Sequence, residues 1–326
     1  MKRPRNVLIK QSILWQLVFV GIVLAAASFG LHNALANLEA RGISRGFDFL
    51  NVTAGFEVVQ TLISFGEGST YLRAFFVGLL NTVYVSVLAI IGSLILGFLV
   101  GFARFFAHPL SRGLAKMWIG GIRNIPLLLQ IFFIYFAVLQ SLPEPRDSFQ
   151  FGNLIFVNNR GVFFPWIVDG EWVRPVLEGF NFVGGTVVIP ELIALALGLT
   201  CYTSAFIGEL VYASLKSVDK GLWEASRSLG LSNFQALRLV ILPESLKVLL
   251  PPLTNQFLNV FKNSSLAAAI GYPDLVAVFA GTVLNQTGQA MEVISITMMV
   301  YLLISLLISI AMNYFNSRLA RVRRHV

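Results

Sequence analysis

Five stretches of this chain, 13–31, 74–103, 125–142, 192–208 and 293–317, run without a single charged residue. A helix needs about 20 apolar residues to cross the hydrocarbon of a bilayer, so each stretch has roughly the length of one crossing. A sixth stretch, 248–261, is shorter and is followed directly by Lys262. The composition agrees, with 56% hydrophobic and only 12% charged residues and a mean hydropathy of +0.76. Soluble domains carry about twice that fraction of charge, and so much apolar surface cannot be hidden in one water-facing core. The stretches lack strict alternation and exceed the length of a barrel strand, which sets a β-barrel aside. The sequence therefore specifies an all-α integral membrane protein with about six transmembrane helices.

The formal net charge of +8 raises the question of nucleic acid. Its distribution answers otherwise. With six crossings and both termini cytoplasmic, sixteen Lys and Arg residues fall on the inner side, from Lys2 to Arg324. Six fall outside: Arg41, Arg45, Arg73, Arg146, Arg160 and Arg174. This is the positive-inside bias that orients a chain during insertion, not a nucleic-acid-binding surface. The first apolar run is long for a secretory signal and lacks a prompt small-residue cleavage site, so it reads as a retained anchor. The one cysteine, Cys201, lies in an apolar stretch, which excludes a disulfide framework and a thiolate metal cluster.

Along the chain, 1–72 reads as a basic tail, an anchor helix and an external segment. Residues 73–317 form the membrane core, and 318–326 a basic cytoplasmic tail. Gly78, Gly92, Gly97 and Gly101 lie in the second apolar run, where small residues permit close helix contact. A third crossing is expected over about 117–140, with Arg123 at the inner surface and Pro126 in its first turn. Residues 141–185, rich in Pro, Gly, Asn and aromatics as in Asn158-Asn159-Arg160-Gly161 and Phe163-Phe164-Pro165-Trp166, predict an external insertion with turns and one hairpin.

The polar segment 216–244 carries the most local information. Asp219 is placed to cap a helix whose Leu222, Ala225, Ser226 and Leu229 share a face. Gly230 suits the left-handed residue that ends it. Ser232 and Gln235 have capping-box spacing for a second helix, which Pro243 is expected to close. Two short, punctuated helices make a rigid handle for a soluble partner, or an interfacial anchor for the loop; the physics of the segment leaves both open.

The run Glu224-Ala225-Ser226, three residues, Gly230, nine residues, Val240-Ile241-Leu242-Pro243 resembles the EAA loop of ABC importer permeases. Ser226 stands where that motif has its second alanine and Val240 where it has isoleucine. Three further runs resemble the polar amino-acid (histidine/glutamine permease-like) branch. They are Ile122-Arg123-Asn124-Ile125-Pro126-Leu127-Leu128-Leu129-Gln130, Tyr202 to Glu209, and Leu250 to Phe257 continuing through Lys262-Asn263-Ser264-Ser265-Leu266 to Ile270-Gly271. The anchor and the long insertion look like the general L-amino-acid permease type. The resemblance covers about 72–317. It implies a type I ABC importer permease fold in a bacterial inner membrane, with Leu222, Glu224, Ala225, Ser226, Leu229, Gly230 and Pro243 on the ATPase-coupling loop. It also implies an ABC ATPase dimer, a second homologous permease subunit, a periplasmic amino-acid-binding protein and an L-amino-acid substrate as partners.

Transporter sites lie where broken helices expose polar groups near the midplane. Pro251-Pro252 are expected to interrupt the fifth run, and Gln256, Asn259, Lys262, Asn263 and Ser264 follow as candidate pathway residues. Glu209 is a candidate acceptor for an ammonium group, or a partner for Lys216. The three histidines, His32, His108 and His325, are far apart, and the sequence contains no H-E-x-x-H or G-x-S-x-G pattern, which argues against an enzyme. No Walker A pattern occurs either, so no cofactor is expected on this chain, and ATP with Mg is assigned to the partner ATPase. The competing reading, an ion-coupled secondary amino-acid transporter, calls for paired intramembrane acids and an inverted repeat; only Glu209 and Glu292 are candidate acids.

Overall fold

The computed structural model describes residues 5–40, 46–106, 108–152, 154–168 and 170–321. The expected topology signals Lys2, Arg3, Arg41, Arg45, Arg323 and Arg324 lie outside these residues.

Helix α1 (Arg5–Ala40) contains the uncharged apolar stretch Leu14–Gly30, whose large side chains face outward. Among the described residues three helices are long and apolar enough to cross a membrane: α2 (Tyr71–Phe106), α5 (Pro190–Lys216) and α10 (Ala290–Arg321). The third expected crossing is not one straight helix. Amphipathic α3 (Pro109–Asn124) meets α4 (Leu127–Phe132, prolonged by a π-helical segment Phe133–Leu139) at an angle of 104°. Ile125 is extended because the ring of Pro126 disfavours helical geometry in the residue before it. Gln130 then folds back, its Nε2 donating to the carbonyls of Ile122 and Ile125, 2.9 Å each, which satisfies the open end of α3.

α2 and α5 run parallel in close contact, and glycine is the reason. A Cβ on Gly97 would lie 2.6 Å from Ile207, and one on Gly101 would lie 2.6 Å from Val211. Gly97 and Gly101 are four residues apart, as are Ser204 and Gly208 on the facing helix, the small-xxx-small pattern that lets backbones approach. Gly78 accommodates the backbone at Leu275, whose N–H donates to Thr82 Oγ1 at 2.9 Å.

The segment 141–188 is more ordered than one hairpin. It forms β1 (Phe149–Phe151), β2 (Ile155–Asn158), β3 (Gly161–Phe164) and β8 (Thr186–Val188) as a four-stranded antiparallel sheet in the order β1-β2-β3-β8. Between β3 and β8 the chain makes two hairpins, β4 (Trp166–Val168) with β5 (Glu171–Val173) and β6 (Val176–Glu178) with β7 (Asn181–Val183). Phe182 of β7 packs on Phe156 and Phe163 of the sheet, with ring centroids 4.5 and 5.1 Å away.

Beyond α5 come α6 (Lys220–Ser228) and α7 (Asn233–Ala236), then a π-helical segment Leu237–Ile241 that passes directly into α8 (Leu242–Asn263). Pro243 therefore does not close the second loop helix. Proline lacks an N–H and crowds the carbonyl four residues back, and the π turn just before it opens the ladder where that crowding would fall. Nor do Pro251 and Pro252 break α8, which runs through both. A 3-10 segment Ser264–Ile270, a π segment Val276–Val283 and α9 (Leu284–Thr287) connect α8 to α10.

Candidate functional site

The site is built around the segment after α5. Asp219 Oδ1 accepts from the Gly221 N–H at 2.8 Å and opens α6. At the other end Leu231 N donates to Ser226 O at 3.1 Å and Gly230 N to Arg227 O at 2.9 Å, with Gly230 at φ +75°. This pair of bonds is the Schellman closure, and it requires a residue free to turn left-handed. Ser232 and Gln235 exchange side chain-to-backbone bonds of 3.3 and 2.9 Å, completing a capping box on α7.

The faces of α6 differ in detail from the expectation. Ser226 is the residue turned inward, its hydroxyl donating to Leu222 O at 2.7 Å, and Trp223 stacks between the loop and Phe105 and Phe106 at the end of α2. Glu224, Ala225 and Gly230 are exposed; Leu222 is partly so, and Leu229 and Phe234 are 80% and 69% exposed. The loop thus packs on the helix ends through Trp223 together with Val218, Leu237 and Ile241, and presents apolar side chains outward from a capped frame. Exposed apolar groups on a rigid, polar-rimmed surface are what a protein partner buries.

Beside the loop lies a cavity of about 490 Å³, lined by Arg104, Lys116, Arg123, Asn124, Phe206 and Glu209. Glu209 Oε2 is 2.5 Å from Arg104 Nη1 and 3.5 Å from Arg123 Nη1, so it ties α5 to α2 and α3. The Arg104 guanidinium also lies 4.0 Å over the ring of Tyr212. Lys216, weighed as the partner of Glu209, sits instead toward the Tyr212 ring. Three cations and one carboxylate share this cavity, so loss of Glu209 would leave like charges facing each other in a partly dry space.

The candidate pathway residues are scattered in environment. Gln256 and Asn263 are half-buried, Asn259 and Lys262 exposed, and Ser264 fully buried, its Oγ donating to Phe261 O at 2.7 Å. None of the five lines the cavities described here. Ser264 belongs to a buried polar cluster with Tyr301, Thr82 and Asp274. Asp274 Oδ1 accepts from the Ala277 N–H at 2.8 Å. Sequence reasoning missed Asp274 as an interior acid, because the apolar residues around it come from α2 and α10 rather than from its own neighbourhood in the chain.

A helical membrane chain with a capped polar loop is the architecture of an importer's inner-membrane component. The chain belongs to the binding-protein-dependent transport system inner membrane component family, whose match spans residues 93–321. It is 45% identical to the putative amino-acid ABC transporter permease protein YhdX of Escherichia coli, over 95% of this chain and 94% of that protein. It is 38% identical to the general L-amino acid transport system permease protein AapQ of Rhizobium johnstonii, over 96% and 93%. Among solved structures it is similar to an amino acid ABC transporter crystallised with histidines, with a TM-score of 0.57 and 26% identity, covering 76% of this chain and 95% of that one. The MetNI methionine ABC transporter in an inward-facing form shares the fold at a TM-score of 0.52.

Proposed function

We propose that this chain is the permease subunit of an ATP-driven importer of L-amino acids, with six crossings, both termini cytoplasmic, in a bacterial inner membrane. The names of the relatives at 45% and 38% identity support the substrate class. The family match does not favour the ion-coupled alternative. A separate ATPase pair hydrolyses ATP with Mg, a periplasmic binding protein delivers substrate, and a second permease subunit completes the channel. Coupling runs through Leu222, Glu224, Ala225, Ser226, Leu229 and Gly230, with Pro243 at the root of α8.

The observation that carries this reading is the unbroken passage from the Ser232 cap through the π turn into α8. Force applied to α6 passes through the hydrogen-bonded bend at Gly230, and from Asn233 onward the helical path into α8 has no break. The test is a cysteine cross-link. Ala225→Cys, in a Cys201→Ser background, is expected to trap the ATPase subunit in native vesicles, with a yield that changes when nucleotide is added. Absence of any such adduct across Leu222, Ala225 and Leu229 would refute the coupling role.

A further inference from the structure

The β2–β3 turn carries two residues, Asn159 and Arg160, and the Asn159 N–H donates to Pro143 O at 3.0 Å. That bond draws the turn onto the mouth of the α4 and α5 helices. There it roofs a cavity of about 500 Å³ together with Asn181 of β7, above Gln140 and Glu191. Ligand pockets run from about 300 to 1,000 Å³, so a free amino acid fits. A second cavity of about 420 Å³ shares Val59, Ile189 and Glu191 with the first and adds Glu57.

The polar groups are arranged by type. Glu191, in the first turn of α5, accepts from Tyr135 Oη at 2.7 Å through Oε1, which fixes the carboxylate. The side-chain oxygens of Asn159 and Asn181 are buried and accept no hydrogen bond among the described residues. Buried acceptors without a partner are rare and costly, so their concentration at one cavity calls for a donor. The Arg160 guanidinium makes no ion pair among the described residues. The cavity therefore offers one cationic fork and a group of acceptors. An α-amino acid zwitterion presents the complement, a carboxylate for the fork and an ammonium for the acceptors.

We propose that the insertion forms a receiving site for a free L-amino acid at the mouth of the helices. Arg160 takes the α-carboxylate, and Glu191 with the Asn159 and Asn181 oxygens takes the α-ammonium. The proposal rests on the amino-acid import reading and adds to it a site at the mouth of the membrane helices, which the candidate residues of α8 do not include.

The test is equilibrium binding of a tritiated mixture of L-amino acids to the purified importer with its companion subunits, without binding protein. The wild type is expected to bind saturably. Arg160→Gln and Glu191→Gln are expected to weaken binding at least about tenfold, the loss of one charge-assisted hydrogen bond. Arg160→Lys restores part of the affinity, and the corresponding decarboxylated amines compete at least about tenfold more weakly than the acids. Unchanged affinity in both charge variants overturns the site, and so does absence of saturable binding to the wild type. If, in a second assay with binding protein added, the variants no longer retain it while amino-acid affinity is unchanged, the cavity is a protein-docking feature and the proposal falls. Failure of the import reading is a separate result: wild-type proteoliposomes supplied with ATP and binding protein would then accumulate no amino acid at all.

Discussion

Gly230 concentrates the mechanics of the loop in one residue. Its φ of +75° lies where a side chain is strained, and its N–H closes the α6 terminus on Arg227 O. Proline at this position fixes φ near −65° and removes that donor. Gly230→Pro is therefore expected to disorder the bend and uncouple ATP hydrolysis from uptake while insertion in the membrane continues. Measured in proteoliposomes, uptake should fall at least about tenfold for a misplaced coupling element, with ATPase activity retained. Normal uptake would take the bend out of the mechanism. At this scale the sequence was readily legible. Asp219, Gly230, Ser232 and Gln235 act within five residues of themselves, so spacing alone reveals their bonds. Asp274 and the Arg104–Glu209–Arg123 group were not legible, because their surroundings include residues more than 80 positions away in the chain.

At the scale of elements, the α2–α5 pair depends on missing side chains. Gly97→Leu would drive a branched side chain into Ile207 and the Ser204 carbonyl, where even a Cβ would stand at 2.6 and 3.1 Å. Overpacking of this kind costs about 1–3 kcal/mol, so thermal unfolding in detergent should shift down by several degrees. An unshifted transition would mean that the two helices do not hold this contact. The same substitution at Gly113, which meets nothing within 4 Å, serves as the control. The glycine spacing in α2 pointed to close helix contact and left the partner, α5, unnamed. The bend at Pro126 was harder to anticipate, since a proline in that setting can equally begin a straight helix. Pro251 and Pro252 misled in the opposite direction, because membrane helices tolerate lost backbone bonds where neighbours pack closely. The insertion hid its strands for another reason: all eight have only three or four residues, too short for a period of two to register.

At the scale of the whole molecule, the two ends of the helix bundle are chemically unlike. One carries the β-rich insertion, and the other carries the capped loop and the Arg104–Arg123–Lys116 cavity. The proposed orientation predicts opposite labelling by a membrane-impermeant thiol reagent in a Cys201→Ser background. Phe180→Cys, at a position 73% exposed on the insertion, should react in right-side-out vesicles. Leu229→Cys should react only in inverted ones. The reverse pattern would invert the topology and move the insertion to the cytoplasm.

The continuity of α7, the π turn and α8 has a geometric consequence. Thirty-one residues from Asn233 to Asn263 at a helical rise of 1.5 Å make a helical path roughly 45 Å long, more than the thickness of a bilayer's hydrocarbon. Swung by about 5° at its watery tip, such a path sweeps its opposite extremity by ~4 Å, more than the width of a water molecule. A small rotation imposed at one surface thus becomes a displacement at the other, and from Asn233 to Asn263 the helical path has no break to absorb it.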